Sequence, residues 1–219
     1  MKIIGYKDID RAIHSNNELV DDFKKIKEQF IRKYSIEKDI LIYLLDSELS
    51  CISSAIGGNV KGKSFLDLGC GSTSYGEHVG YDNHMNISDG KKNRDFEPWI
   101  PRALHELGVH VIGIDIGSLD REEFEHYSLD LLKENALSVI PDHSIDHVYS
   151  KLLYSSPQLA NMVSSRYYPD IASKVKDKAI PYWTIGDGER LAKTVLEQKL
   201  FHQIERVLKP AGTYLRFEV

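Results

Sequence analysis

The chain has few cysteines and no long hydrophobic run, and these two absences limit the classes of protein to which it can belong. Its 219 residues include only two cysteines, Cys51 and Cys70, too few for a disulfide framework. We expect both to be reduced thiols. No apolar run reaches the length that crosses a membrane, and residues 1–7 contain no stretch long enough for a signal peptide. These absences predict a cytoplasmic protein that does not associate with membranes.

Basic residues are not in excess either. The 28 lysines and arginines are outnumbered by 33 aspartates and glutamates, for a formal charge of -5 at pH 7. Such a balance gives no general attraction for phosphate backbones, and no lysine and arginine block supplies a local one, so nucleic acid is not an expected partner. With 42% hydrophobic and 28% charged residues, the composition is typical of a globular chain with its own core.

Residues 64–72, Ser-Phe-Leu-Asp-Leu-Gly-Cys-Gly-Ser, combine a short apolar run with a Gly-x-Gly turn. The run predicts a strand buried on both faces, as in a parallel sheet. Gly69 and Gly71 lack the Cβ that would keep a ligand at a distance. An NAD-type fingerprint needs a third glycine at position 74, where this chain has Ser74, so a nucleotide-dependent oxidoreductase is disfavoured. The acid before the turn, Asp67, favours a cationic or zwitterionic ligand.

Five segments in order resemble the Rossmann-like S-adenosylmethionine-dependent methyltransferases. The first is the glycine turn, and the others are 109–115, 127–131, 140–150 and 205–212. The resemblance covers roughly residues 60–219 and implies an α/β fold, a doubly wound, mostly parallel sheet with helices on both faces. It also implies S-adenosylmethionine as cofactor and methylation of oxygen or nitrogen on a small-molecule acceptor. An inactive cofactor-binding or adaptor protein of the same fold is the alternative.

The resemblance also implies which residues hold the cofactor. Backbone N–H groups of the glycine turn would face the methionine carboxylate, and Asp67 would lie near the amino group or order the turn. Asp115 would accept hydrogen bonds from the ribose, and Asp130 from the adenine amino group, unless Asp130 instead caps a helix after it. The complete predicted set is Asp67, Gly69, Cys70, Gly71, Asp115, Ile116, Asp130, Leu131 and Ser150.

Two units are predicted along the chain. Residues 1–60 are expected to form a helical extension packed on the core, because apolar residues recur at helical spacing over 17–34 and 36–56. Residues 61–219 are expected to form the methyltransferase-like domain.

Two insertions are predicted in that domain. The first, at about residues 72–96, starts at the glycine turn and is either a lid over the site or a surface excursion; its position favours a lid. His78, Asp82 and His84 lie within it, but no helix or strand fixes their directions, so no metal site is predicted. The second, at about 151–186, is rich in tyrosine and is expected to line the acceptor pocket.

No catalytic residue is predicted. In-line methyl transfer depends mainly on positioning, and a general base is needed only when the acceptor must lose a proton. The candidate bases, which the sequence does not rank, are His78, His84, Tyr154 and Tyr167. Methyltransferases that act on the exocyclic nitrogen of bases carry Asn or Asp, two prolines and an aromatic residue at this point. This chain has Ser150, Lys151 and two leucines there, so the resemblance disfavours that subclass.

The resemblance implies seven strands, but the sequence ends in or just after the fifth, at residues 213–219. The remaining strands are therefore expected to be missing, and a bare edge would expose unpaired backbone groups. We expect either that the helices of residues 17–56 help to cover this edge or that two chains form a homodimer through it.

Overall fold

The computed structural model describes residues 1–9, 18–36, 39–57, 60–72, 97–151, 153 and 185–217. The helices in these ranges are α1 (Tyr6–Ile9), α2 (Glu18–Lys33), α3 (Asp39–Ile56), α4 (Trp99–Glu106) and α5 (Ile185–Val207). The strands are β1 (Lys2–Ile4), β2 (Ser64–Leu68), β3 (His110–Asp115), β4 (Glu125–Ser128), β5 (Ile145–Lys151) and β6 (Leu208–Phe217). Within the described residues, no helix combines the length and the apolar composition that crossing a membrane requires.

The six strands form one sheet in the order β1, β6, β5, β2, β3, β4, and all of its pairings are parallel. From β2 the chain proceeds to β3 and β4 on one side, and then to β5 and β6 on the other. The strand order therefore reverses between β2 and β5. The predicted Rossmann-like, doubly wound α/β sheet is confirmed. In such sheets ligands bind beyond the carboxyl ends of the strands at the reversal.

Helices cover both faces of the sheet. On one face Phe65 and Tyr149 belong to a hydrophobic cluster with α2, α3 and α4. On the other face Leu66 and Val148 pack with α5 and with residues 131–140. Neighbouring residues of a strand alternate between the two clusters, as the pleat requires. All five positions of β2 are buried, which explains why its sequence is an apolar run rather than an alternating one.

The free side of β6 is occupied by β1. The parallel register pairs Lys2 with Thr213, Ile3 with Tyr214 and Ile4 with Leu215. Only helices were predicted in residues 1–60, because a three-residue strand is too short to show a period of two. A second chain that associated along this side would have to pair with β1 over these residues rather than with β6. The homodimer stays a prediction.

An aromatic cluster joins α2 to α4. The ring centroid of Phe30 lies 5.2 Å from that of Phe23, 4.7 Å from that of Tyr34 and 6.4 Å from that of Trp99. The guanidinium of Arg102 lies over the rings of Tyr34 and Trp99, at 5.0 and 4.7 Å from their centroids. The N-terminal helices thus share one hydrophobic core with the sheet.

His147, on β5, makes the fold sensitive to acid. Its ring centroid lies 5.3 Å from that of Phe65, and its buried Nδ1 has no hydrogen-bond partner among the described residues. Burial lowers the pKa of His147 to about 4, although the nearby Asp146 carboxylate opposes the shift. Between about pH 6.5 and pH 4 the unfolded chain therefore binds a proton that the folded chain does not. The stability that depends on neutral His147 is present above about pH 6.5 and is lost as the pH falls toward 4.

We expect wild type to lose more free energy of unfolding than His147→Gln when urea unfolding is compared at pH 7 and pH 5. Burial alone would raise the pKa of Asp146, but hydrogen bonds from Lys209 and Ser64 outweigh it and hold that pKa below its usual value. Asp146 therefore contributes its own loss only below about pH 4. His110→Gln changes an exposed imidazole and is the control. An equal pH dependence in wild type and His147→Gln would contradict this account.

Candidate functional site

The glycine turn follows β2 at the point where the strand order reverses. Gly69 and Gly71 have φ angles of +72° and +89°, in the left-handed region that favours glycine. The N–H groups of Gly69 and Cys70 donate to the carbonyl oxygen of Ile114 at 2.8 and 3.1 Å, which holds the turn against the end of β3. A Cβ added to Gly69 would lie 2.7 Å from Cδ1 of Leu153. Glycine is favoured at position 69 by its backbone angle, whereas the Leu153 methyl is the end of a flexible side chain that can shift.

Asp115, the last residue of β3, connects two turns. Its Oδ2 accepts a hydrogen bond from the N–H of Gly71 at 3.0 Å, and its Oδ1 accepts one from the N–H of Gly117 at 2.8 Å. Burial raises the pKa of Asp115, and these backbone hydrogen bonds offset part of the rise. Each carboxylate oxygen carries two lone pairs and can accept more than one donor. The structure thus brings Asp115 into contact with the glycine turn that precedes it by more than forty residues.

Asp67 and Ser72, on either side of the turn, are buried polar groups. Asp67 is 2% exposed, and burial raises the pKa of its carboxyl group well above the usual value. Ser72 is also 2% exposed, and its Oγ has no partner in the described part of the chain. Buried polar groups in folded proteins nearly always have a partner. A buried hydroxyl without a described partner, beside a glycine turn and a buried acid, is typical of a site where a ligand supplies the hydrogen bond.

Cys70 is a packing residue rather than a reactive one. A Cβ added to Gly113 would lie 3.0 Å from the Cys70 Sγ, so the thiol rests on the backbone of β3. Burial, with the nearby Asp67 and Asp115 carboxyls, raises the pKa of the Cys70 thiol well above its usual value. The thiol therefore stays protonated. Ile116, next to Asp115, differs in being 42% exposed, and it offers a ligand an apolar surface.

The segment after β4 lies beside Asp115. The N–H of Leu129 donates to the carbonyl oxygen of Asp115 at 2.8 Å. Asp130 Oδ1 accepts a hydrogen bond from the N–H of Leu132 at 3.0 Å. The residues after Asp130 form turns, so this carboxylate caps a turn and not a helix, which was its alternative predicted role. Leu131 is 7% exposed and belongs to the cluster on the α5 face.

Ser150 of β5 is fully buried, and its Oγ shares a hydrogen bond with the Tyr214 Oη at 3.0 Å. The side chain therefore connects β5 to β6. Of the predicted residues, the structure gathers those of the glycine turn, Asp67, Asp115 and Ile116 at the ends of β2 and β3. The segment containing Asp130 and Leu131 follows next to them.

Sequence reasoning missed Glu48 of α3. This carboxylate is 4% exposed; it accepts a hydrogen bond from the Tyr149 Oη at 2.5 Å and makes a close ion pair with the Lys151 ammonium. Tyr149 is the cross-strand neighbour of Asp67. A signal was present in the sequence, because Glu48 is an acid within the buried apolar stripe formed by Leu45, Leu49 and Ile52.

Several predicted features lie outside the described residues. One is the predicted lid at 72–96, of which only Ser72 is described. Another is most of the segment at 151–186 that was expected to line the acceptor pocket. His78, Asp82, His84 and the other two candidate bases, Tyr154 and Tyr167, also lie outside the described residues. In the ranges that the structure does describe, no three or more His, Cys, Asp or Glu residues are grouped so that they could hold a metal ion.

No protein-family model and no curated protein matches the sequence. Among solved structures, the crystal structure of the selenomethionine-substituted CurJ carbon methyltransferase is similar to part of the fold, with 16% sequence identity and a TM-score of 0.29. The match covers 49% of this chain and 26% of that chain. A likeness of this size concerns local architecture only and carries no argument about the reaction.

Proposed function

We propose that this protein is an S-adenosylmethionine-dependent methyltransferase that methylates oxygen or nitrogen of a small-molecule acceptor. The observation that carries the proposal is the contact between the Asp115 carboxylate and the Gly71 N–H, at the reversal point of a parallel sheet. The resemblance assigns Asp115 to the ribose and the glycine turn to the methionine carboxylate. In the structure Asp115 lies against that turn. Five motif-like segments in the expected order support the same assignment.

The charges around the turn fit a cationic ligand. The carboxyl groups of Asp115 and Glu48 act on the Asp67 carboxyl there, and the Lys151 ammonium acts on it in the opposite sense. S-adenosylmethionine carries an ammonium and a sulfonium, both of which an excess of carboxyl groups stabilises. The backbone N–H groups of the turn suit its carboxylate. The dinucleotide of an oxidoreductase would instead bring pyrophosphate toward these acids.

The bound cofactor would supply an electrophilic methyl group. The work left to this chain is to hold the cofactor and acceptor in line, which by itself can contribute several kcal/mol to lowering the barrier. Asp115 would orient the ribose, and Asp67 the methionine ammonium. An acceptor hydroxyl would also require a base, and the four candidates for that role lie outside the described residues.

Calorimetry with S-adenosylmethionine and S-adenosylhomocysteine tests the proposal. We expect wild type to bind both, and Asp115→Ala to weaken binding by about 1.5–3 kcal/mol, which is roughly 10- to 150-fold, because charge-assisted hydrogen bonds are lost. Asp115→Asn keeps one acceptor oxygen and should lose less. Asp120→Ala removes an exposed carboxylate from the same loop and is the control.

Tight NAD binding without any response to S-adenosylmethionine would refute the proposed function. Binding of both adenosyl compounds without methyl transfer to hydroxyl or amine acceptors would favour the inactive cofactor-binding alternative. Radiolabelled methyl groups make that second test sensitive to slow transfer.

A further inference from the structure

Glu48 ties helix α3 to the carboxyl end of β5. Its Oε1 accepts a hydrogen bond from the Tyr149 hydroxyl, and its Oε2 forms an ion pair with the Lys151 ammonium. The Glu48 side chain is 5% exposed, so its carboxylate is shielded from water on the helix side, whereas the Lys151 side chain is 33% exposed. A buried carboxylate with two donors is held in one place. Lys151, the cation beside the glycine turn, is therefore already engaged by another acid.

Two carboxyl groups disfavour the charge of Asp67. Asp115 acts on it from β3 and Glu48 from α3, while the Lys151 ammonium on β5 acts in the opposite sense, and Asp67 in turn raises the pKa of the Cys70 thiol. Its cross-strand neighbour Tyr149 donates its hydroxyl to Glu48. Burial, followed by Asp115 and Glu48, raises the pKa of Asp67 well above its usual value, and Lys151 opposes the rise.

We propose that Glu48 is a positioning residue of the ligand site: by holding Lys151 it withholds the ammonium from Asp67, which carries a proton until the ammonium of a ligand displaces it. The step balances, because the neutral Asp67 carboxyl and the ligand ammonium become a carboxylate–ammonium pair and one proton passes to solvent. The inference rests on the proposed function for the identity of the ligand. It adds α3, which lies outside the region of family resemblance, to the site.

Two consequences distinguish this role from simple packing. Ligand binding should release protons, at most one per ligand, and affinity should rise with pH by up to about tenfold per unit wherever that proton is displaced. In Glu48→Gln the Lys151 ammonium loses its partner and becomes available to Asp67. Asp67 should then be ionised before the ligand arrives, and Lys151 should compete with the ligand ammonium.

Calorimetry of S-adenosylhomocysteine binding in phosphate and in Tris at equal pH measures the release, because the two buffers take up protons with different heats. This compound keeps the methionine ammonium and transfers no methyl group. We expect buffer-dependent heats for wild type, heats independent of buffer for Asp67→Asn, and a smaller release with weaker binding for Glu48→Gln. Asp46→Asn removes another α3 carboxylate, one paired with Lys27, and should match wild type.

The inference is overturned if wild type shows no buffer-dependent heat, if Glu48→Gln releases as many protons as wild type, or if Asp46→Asn changes the release as much as Glu48→Gln. Infrared difference spectra of ligand-free wild type against Asp67→Asn at neutral pH provide a test that does not need the ligand. A protonated-carboxyl band that is absent from Asp67→Asn and weakened in Glu48→Gln supports the inference even if S-adenosylhomocysteine does not bind. Lack of that band in wild type overturns it, whether or not the methyltransferase proposal holds.

Discussion

Arg102→Met should lower the free energy of unfolding by about 3–5 kcal/mol, because it leaves the buried carboxylate of Glu122 without its cation and removes a donor from Glu97. The Arg102 guanidinium donates to both oxygens of Glu122, from Nε at 2.8 Å and from Nη2 at 2.6 Å, and to Glu97 from Nη1 at 2.5 Å. The three side chains are 6%, 3% and 12% exposed. The Glu122 carboxylate, the most buried of the three, is therefore poorly placed to be solvated when the guanidinium is removed.

Urea unfolding at pH 7 measures the loss, and Arg121→Met, which removes an exposed arginine next to Glu122, is the control. If the uncompensated charges cause the loss, adding Glu97→Gln and Glu122→Gln to Arg102→Met should recover most of it. A loss that persists in the triple variant would instead point to the stacking of Arg102 on Tyr34 and Trp99.

Phe30→Ala should also cost about 3–5 kcal/mol, through lost burial and the cavity left among the surrounding rings. Phe30 is 1% exposed, and its ring contacts those of Phe23, Tyr34 and Trp99. Trp99 belongs to α4, so the cavity would open between the N-terminal helices and the helix that leads into β3. Tyr43→Ala, on α3, changes a side chain that is 70% exposed and should stay within about 0.5 kcal/mol of wild type.

The unfolding curve of Phe30→Ala also tests the predicted division at residue 60. One cooperative transition that shifts as a whole would show that the N-terminal helices unfold with the sheet. Two transitions, of which only the first moves, would show an extension that folds by itself.

Elements with a repeating pattern were predictable from the sequence. The helical spacing over 17–34 and 36–56 corresponds to α2 and α3. Each of these helices carries one apolar stripe, which a contiguous stretch of sequence displays.

The candidate site was predictable where one short segment carries both the strand and its turn. Gly69 and Gly71 form the turn that was predicted after a buried strand, and the structure adds that both have positive φ angles. The contact of Gly71 with Asp115 could be anticipated only through resemblance, since forty-four residues separate the two.

The sequence by itself determined the order of the elements, the buried central strand and the glycine turn, because each depends on neighbouring residues and on backbone angles. Only the tertiary structure decided that β1 pairs with β6, that Cys70 packs on Gly113 and that Glu48 lies beside the turn through Tyr149 and Lys151. Glu48 and Tyr149 are 101 residues apart. Such contacts arise when separate faces are buried against one another, and no local period encodes which buried acid will meet which donor.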